Sequence, residues 1–393
     1  MWLQLAENMT MTTTTKKTNT NTSGKFGTRC AAMMTAALAL PAVSIAHADL
    51  APERAQISLK YLDYQDAQPG TDRIRVRAPA LSLLLPIAGD WALSSTYTTD
   101  SISGASPAYH TSAITKMQDL RRAIDLKLTK YLPRGTVTVG TSYSNESDYV
   151  SRGFSISGTV SSEDKNTTFN AGIGVTNDEI NPNNHVVVGE TKHVTDWIVG
   201  VTQVLTPNDI AQVNFGYSAG AGYFTDPYKA FDQRPGSRDH STVMLRWNHH
   251  FNETNGSSHL SYRYYSDTYG IKAHTFTAEY VQPFSSGWTV TPLFRYYTQS
   301  AADFYVEVDP AAGGFATLPD FTKPYYSEDQ RLADYGAITA GFKVTKEINP
   351  DWLIDFKFEK YEQKAALAAN SGGSYGLDTF RFTSYQFGLT HKF

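Results

Sequence analysis

The chain has 393 residues with a formal net charge of −4, a mean hydropathy of −0.36, and a single cysteine. This acidic balance argues against a nucleic-acid-binding protein, which would be expected to be basic. One cysteine also excludes an intrachain disulfide framework and a metal site built from several thiolates.

The N-terminus has the pattern of a secretory signal peptide over residues 1–48. A polar, basic stretch runs into the apolar sequence CAAMMTAALALPAVSIAHA, which ends in a small-x-small pattern at 46–48. We predict cleavage before Asp49 and one domain over 49–393. An N-terminal anchor helix is the alternative, but Pro41 interrupts an apolar run that is already short for a membrane span.

The rest of the chain alternates apolar and polar residues with a period of two, which is typical of β-strands with one apolar and one polar face. These segments run to roughly twice the ~5–6 residues of an average soluble strand, and they match the nine to eleven tilted residues that cross a bilayer. We predict sixteen strands, with fourteen as the alternative. They lie at 56–66, 72–87, 89–100, 117–131, 135–146, 149–161, 166–177, 192–205, 210–222, 238–251, 257–268, 272–283, 287–299, 332–346, 350–363 and 380–393.

The connections between the strands also alternate. Tight turns such as PIAGD, LPRG, TPND and INPD occupy every second position, and longer loops occupy most of the others. Short turns on one rim and long loops on the other are the layout of bacterial outer-membrane barrels. The sequence therefore predicts an all-β protein, a single transmembrane antiparallel up-and-down β-barrel, with both termini at the periplasmic rim of the outer membrane of a Gram-negative bacterium.

The last strand, FRFTSYQFGLTHKF, places Tyr385, Phe387, Leu389 and Phe393 on one face. We expect this face to meet lipid and the strand to close the barrel against the first strand. A terminal phenylalanine on the lipid face resembles the signal by which the barrel-assembly machinery recognises its substrates.

Charged residues on the opposite parity predict a water-filled lumen. Arg73, Arg75 and Arg77 form a basic row, and Pro79 beyond it suggests a bulge. Such a row can act as a selectivity element that attracts anions, or the charges can simply pair and keep the interior wet. The other lumen candidates are Asp125, Lys127, Arg246, Asp355, Lys357 and Glu359.

No motif in the sequence indicates catalysis, a cofactor or a metal centre, so we predict no enzyme. Two acid-rich stretches, 144–148 and 326–330, contain oxygen ligands of the kind that Ca²⁺ prefers, although solvated loop polarity is the simpler interpretation. The longest loop, 300–331, is rich in aromatic residues. It could fold inward as a constriction, cap the mouth, or form a packed lid without function.

An ordered set of motifs resembles a domain-of-unknown-function family of bacterial proteins expected to be outer-membrane β-barrels. The motifs include DSISGASP at 100–107, DPYK at 226–229 and RYYTQSAADFY at 295–305. The resemblance implies no functional residues. It does imply envelope partners, namely a small lipoprotein or a redox or flavinylated protein.

Two functions remain open from the sequence. The first is a porin-like channel for small polar or charged solutes. The alternative is a non-catalytic scaffold or conduit for a lipoprotein or a redox or flavinylated partner in the cell envelope.

Overall fold

The structure is a computed structural model that describes residues 50–105, 116–229, 231–309, 318–369 and 372–393. The predicted signal peptide, 1–48, lies outside the described residues. Within them, sixteen antiparallel strands form one closed barrel, and two short strands pair with each other. This confirms the all-β barrel and favours sixteen strands over fourteen. None of the described residues forms a helix that is long and apolar enough to cross a membrane.

The strands are numbered in chain order, and all except β10 and β15 belong to the barrel. Short 3₁₀ helices in the described part of the chain include Ser285–Gly287, Gln330–Leu332 and Ala365–Leu367. The strand bounds are β1 (Gln56–Gln68), β2 (Thr71–Ile87), β3 (Trp91–Ala105), β4 (Lys116–Leu132), β5 (Gly135–Asn145), β6 (Tyr149–Ser161), β7 (Thr167–Ile180), β8 (Glu190–Thr206), β9 (Asp209–Gly222), β10 (Asp232–Gln233), β11 (Ser237–Phe251), β12 (Gly256–Asp267), β13 (Lys272–Phe284), β14 (Trp288–Gln299), β15 (Tyr326–Ser327), β16 (Tyr335–Asn349), β17 (Trp352–Lys364) and β18 (Phe380–Lys392).

The barrel closes through pairing of β18 with β1, as predicted. The register places Leu59 opposite Leu389, and the backbones of Ala55 and Phe393 exchange two hydrogen bonds of 2.9 Å. Closure leaves no free edge in the barrel, so every strand has a hydrogen-bonded neighbour on both sides. The four residues of the predicted assembly signal, Tyr385, Phe387, Leu389 and Phe393, are all exposed on the outer face.

An apolar belt surrounds the outer face of the barrel. Almost every barrel strand contributes a large hydrophobic side chain that is exposed near the middle of the strand, which is the arrangement that a hydrocarbon environment requires. The alternation of the sequence therefore marks the two faces correctly. Members of the belt include Leu59, Leu81, Leu126, Val139, Ile156, Ile173, Val199, Phe215, Leu245, Leu260, Phe276, Phe294, Phe342, Ile354 and Phe387.

The two rims of the barrel differ, and we call them the turn rim and the loop rim. At the turn rim, β2 and β3 are joined through Ala88 and Gly89, both with positive φ (50° and 80°), as a type I′ hairpin turn requires. Both ends of the barrel sequence lie at this rim. The loop rim carries the longer connections, which include residues 181–189, 223–236, 300–334 and 365–379.

Candidate functional site

The inner wall of the barrel is asymmetric. Along β5–β9 it is lined mostly by small neutral residues such as Ser155, Ser157, Gly172, Thr202 and Gly216. Ser157 is exposed although it points inward, so the space beside it is open to water. The small side chains therefore leave the lumen accessible to water along this wall.

Charged residues line other parts of the inner wall. The alternation along each strand places six of the predicted residues on the inner face, namely Asp125, Lys127, Arg246, Asp355, Lys357 and Glu359. Lys357 Nζ and Glu359 Oε1 are 3.0 Å apart, and Lys343 lies opposite Lys357 in the neighbouring strand. Charges of both signs therefore share this wall, while a role of these residues in selectivity stays a prediction.

The sequence analysis missed several cations on the same wall. Arg263 and Arg295 are half-buried on the inner faces of β12 and β14, where they contact Thr275 and Thr277 of the intervening strand β13. Lys60 is buried on the inner face of β1. Each of these residues alternates in phase with the polar residues of its strand. The same period-two pattern could therefore have identified them as lumen residues.

The predicted arginine row is wrong, because a β-bulge divides it. Gln65 pairs with Arg75, but Ala67 pairs with Asp72. Two residues of β2, Arg73 and Ile74, therefore lie opposite a single residue of β1, Asp66. Arg73 is consequently buried inside the barrel, whereas Arg75 and Arg77 are exposed on the outer face and contact Asp63.

The bulge does not lie at Pro79, where the sequence suggested it. The register of β2 with β1 is regular on both sides of Pro79, and the pairing of β2 with β3 shows no shift there. Arg75 and Arg77 lie closer to the loop rim than the apolar belt does. Their charged side chains can therefore point outward without entering the hydrocarbon region of the membrane.

The described parts of the loops 223–236 and 300–334 cover the lumen at the loop rim, and we call them the lid. The lid contains the small sheet of β10 and β15, and it packs its apolar residues inward. Tyr305 contacts the buried inner-wall residues Tyr335 and Ala337, and Phe304 packs against Tyr269 with ring centroids 5.0 Å apart. The described part of the longest loop therefore agrees with the prediction of a cap over the mouth, while a role in constricting the lumen stays a prediction.

Contacts of the lid extend around much of the loop rim. Gln330 accepts a hydrogen bond from Gln68 at the end of β1 (3.2 Å). On the other side, Tyr228 donates one to Asp148 in the β5–β6 loop (2.6 Å) and accepts one from the backbone of Asn183 (2.9 Å). The lid thus bridges strands that are not neighbours in the barrel.

Buried ion pairs join the two loops of the lid. Asp329 accepts hydrogen bonds from Arg331 (Nε to Oδ2, 2.7 Å) and from Arg234 (Nη2 to Oδ2, 2.7 Å). Arg331 also donates to Asp226 (2.9 Å) in the other loop, and Arg234 to Asp232 (Nε to Oδ2, 2.9 Å). The bonds from Arg234 to Asp329 and from Arg331 to Asp226 connect one loop of the lid to the other.

The electrostatic balance around Asp329 favours its ionised form. Burial by itself would raise the pKa of this carboxyl, but Arg331, Lys229 and Arg234 together hold the pKa well below its usual value. A lowered pKa means that ionised Asp329 contributes stability above the ordinary carboxylate range, and that this contribution is lost only as the pH falls through the lowered value. The ion pairs of Asp329 therefore stabilise the packed lid at neutral pH.

The two acid-rich stretches have different environments. In 326–330, the buried carboxylate of Asp329 is neutralised by the cations of the lid. In 144–148, Glu146 and Asp148 are buried and lie together with Asp119 near the start of β4, with carboxylate oxygens within 4.8 Å of one another. Oxygen ligands of this kind suit hard divalent cations. Among the described residues, the second stretch is the one whose carboxylates belong to a group of three that is close enough to hold a metal ion.

The sequence matches a protein family described as "Protein of unknown function (DUF3570)" over residues 30–189 and 183–380. No curated protein matches the sequence.

Among solved structures, the chain is similar in fold to one described as "Bacterial polysaccharide outer membrane secretin", with a TM-score of 0.50, 9% identity, and coverage of 86% of this chain and 98% of that chain. CdiB from Acinetobacter baumannii matches with a TM-score of 0.48, 8% identity, and coverage of 85% of this chain and 60% of that chain. A Pseudomonas aeruginosa FadL homologue matches with a TM-score of 0.41, 12% identity, and coverage of 86% of this chain and 90% of that chain. The fold is that of an outer-membrane β-barrel.

Proposed function

Since the chain belongs to the DUF3570 family of proteins of unknown function, we propose from its geometry that it is an outer-membrane channel for small polar or charged solutes, closed at the loop rim by the lid. The observation that carries the proposal is a polar, half-exposed inner wall beneath a lid of separate loops. By the layout of bacterial barrels, the loop rim faces the cell exterior and both termini face the periplasm.

Two features of the inner wall support a water-filled interior. A barrel of sixteen strands encloses a lumen too wide for side chains alone to fill. The small residues of β5–β9 leave space on one side, and the charges of β11–β17 supply hydration and a local field on the other.

Selectivity provides the test of the channel. In planar bilayers under a salt gradient, the Arg246→Gln variant is expected to shift the reversal potential toward cation preference, because it removes a half-exposed positive charge from the lumen. The matched control is Arg75→Gln, which removes an arginine from the outer wall, where Asp63 pairs with it. The control is expected to leave the reversal potential unchanged.

Two outcomes would contradict the channel. Equal shifts from both substitutions would mean that the lumen is not the conducting path. A folded barrel that stays silent even when the lid is opened would favour the second candidate, a conduit or scaffold. The closed loop rim is compatible with that function, because a lipoprotein or a redox or flavinylated partner could enter from the turn rim.

The terminal aromatic residue has a separate expected role, and we propose that it is recognised by the barrel-assembly machinery. Phe393→Ala is expected to lower the amount of folded, heat-modifiable protein in the outer membrane. This substitution keeps both backbone hydrogen bonds to Ala55 and removes only the exposed ring. Lys392→Ala is the control, and equal amounts of folded barrel from the two variants would contradict the proposal.

A further inference from the structure

The acidic residues where β4 begins and β5 joins β6 form a compact buried group. Asp119, Glu146 and Asp148 each place a carboxylate oxygen within 4.8 Å of the others. Glu146 is only 6% exposed and Asp148 only 3%. Three carboxylates that are this close together and this well shielded from water repel one another strongly when they are ionised.

Hydrogen bonds within the protein do not offset this repulsion. Among the described residues, neither oxygen of Glu146 has a hydrogen-bond donor, and Oδ1 of Asp148 and Oδ2 of Asp119 also have none. Buried polar atoms in folded proteins almost always have a partner, so a group of four such oxygens in one place requires an explanation.

The charges of the described residues compensate this group only in part. Arg121 is the described cation that acts on Glu146, and its Nε lies 2.9 Å from Oδ2 of a fourth carboxylate, Asp100. Among the described residues, the group therefore keeps an excess of negative charge in a buried position.

The structure assigns this group as a Ca²⁺-binding site, with Asp119, Glu146 and Asp148 as its protein ligands. An all-oxygen set of carboxylates is typical of hard cations. Each carboxylate can bind through one or both oxygens, and water completes the coordination shell. Ca²⁺ fits better than Mg²⁺, because Mg²⁺ usually keeps several waters and binds only one or two carboxylates, whereas this site offers three carboxylates, each able to bind Ca²⁺ through one or both oxygens.

The position of the site gives the cation a structural consequence. Asp148 also accepts the hydrogen bond from Tyr228 of the lid, so a cation on Asp148 fixes one anchor of the lid. Bound Ca²⁺ would therefore join β4, the β5–β6 loop and the lid. This inference does not depend on the channel, because it concerns binding and the order of the loops.

The site is tested with the full-length processed barrel, purified and stripped of metal by a chelator. Tb³⁺ is the probe, since Tyr228 and Tyr149 lie close enough to transfer excitation energy to a lanthanide on these carboxylates. We expect Tyr-sensitised Tb³⁺ luminescence that Ca²⁺ displaces at about 0.1–1 mM, the range of extracellular calcium modules. Ca²⁺ is also expected to slow proteolysis of the lid.

Substitutions separate a ligand role from a merely structural one. Glu146→Gln is expected to lose the Tb³⁺ signal and the Ca²⁺ protection. It should also be at least as stable as the original protein without metal, since it removes a buried charge that lacks a partner. Glu163→Gln, in an exposed turn at the other rim, should keep both responses. Asp119→Asn provides a second variant in case Glu146→Gln fails to fold.

Three results would overturn the assignment. The first is the absence of Tb³⁺ luminescence and of any Ca²⁺ effect in the folded protein. The second is an unchanged Ca²⁺ response in both folded ligand variants. The third is displacement of Tb³⁺ by Mg²⁺ at the same concentration as by Ca²⁺, which would remove the preference for Ca²⁺.

Discussion

Replacing Asp329 with alanine is expected to open the lid and to raise the conductance of the barrel in planar bilayers severalfold. Asp329 is fully buried, and it neutralises Arg331 and Arg234 and lies 3.9 Å from Lys229. Removing one partner of a buried ion pair typically costs about 3–5 kcal/mol, because the remaining charges stay buried without compensation. Here Arg331 would keep Asp226 and Arg234 would keep Asp232, but both cations would lose a buried hydrogen-bonded partner, and Lys229 would lose its neighbouring carboxylate.

We expect this loss of stabilising free energy to open the lid rather than to unfold the barrel. The lid contacts the barrel through side chains and through a few backbone hydrogen bonds near its ends, such as Ser300 N to Lys272 O (2.9 Å), whereas each barrel strand is hydrogen-bonded to two neighbours along its length. Local opening therefore breaks far fewer interactions than global unfolding, and it returns the cations to water. Heat-modifiability should show an intact barrel, and trypsin should cleave more rapidly after Arg331.

Asp320→Ala is the matched control for this experiment. Asp320 belongs to the same loop, but it is exposed and its side chain accepts hydrogen bonds from Thr322 alone among the described residues. It should leave conductance and proteolysis unchanged. A folded Asp329→Ala barrel whose lid remains as resistant to trypsin as the original would show that the ion pairs do not hold the lid closed.

The barrel itself could be predicted from the sequence because its physical rule is local. A strand between lipid and water alternates along its length, so residues such as Phe387 and Gln386 reveal their faces without knowledge of their neighbours. The pairing of β18 with β1 follows once the number of strands is even and the barrel has to close.

The arginine row shows where this local rule fails. A bulge adds one residue to β2, and every residue beyond it exchanges faces. Near the loop rim, the apolar residues face the interior and the charged residues face outward, which is the reverse of the pattern in the belt. Val76 and Ala78 are buried inside the barrel, while Arg75 is exposed on the outer face. Beyond the hydrocarbon region, the outer face no longer has to be apolar, so polarity ceases to identify the lumen.

The lid and the acidic group could not be predicted from the sequence, for a different reason. Asp226 and Arg331 are separated by 105 positions in the sequence, and Asp148 and Tyr228 by 80. The stretch 144–148 showed two of the three proposed ligands, but Asp119 joins them only because β4 pairs with β5. Loop contacts of this kind depend on the whole fold, and no periodic pattern records them.

Ile156→Arg is expected to damage the barrel, whereas Ser157→Arg is expected to be tolerated. The two residues are adjacent near the middle of β6. Ile156 is 43% exposed on the outer face, where it pairs with Val139 and Ile173 of the apolar belt. An arginine facing lipid at the bilayer midplane costs about 2–4 kcal/mol, and the cost decreases toward the interfaces.

Ser157 provides the control because the same side chain is added one position away and faces the other side of the wall. It is exposed to the lumen, so the guanidinium at this position remains in water. The measurement is the free energy of unfolding in detergent or lipid, together with the amount of folded protein in the membrane. A comparable loss of stability in both variants would mean that the belt does not lie in hydrocarbon at this height. A loss confined to Ser157→Arg would mean that the faces of β6 are reversed.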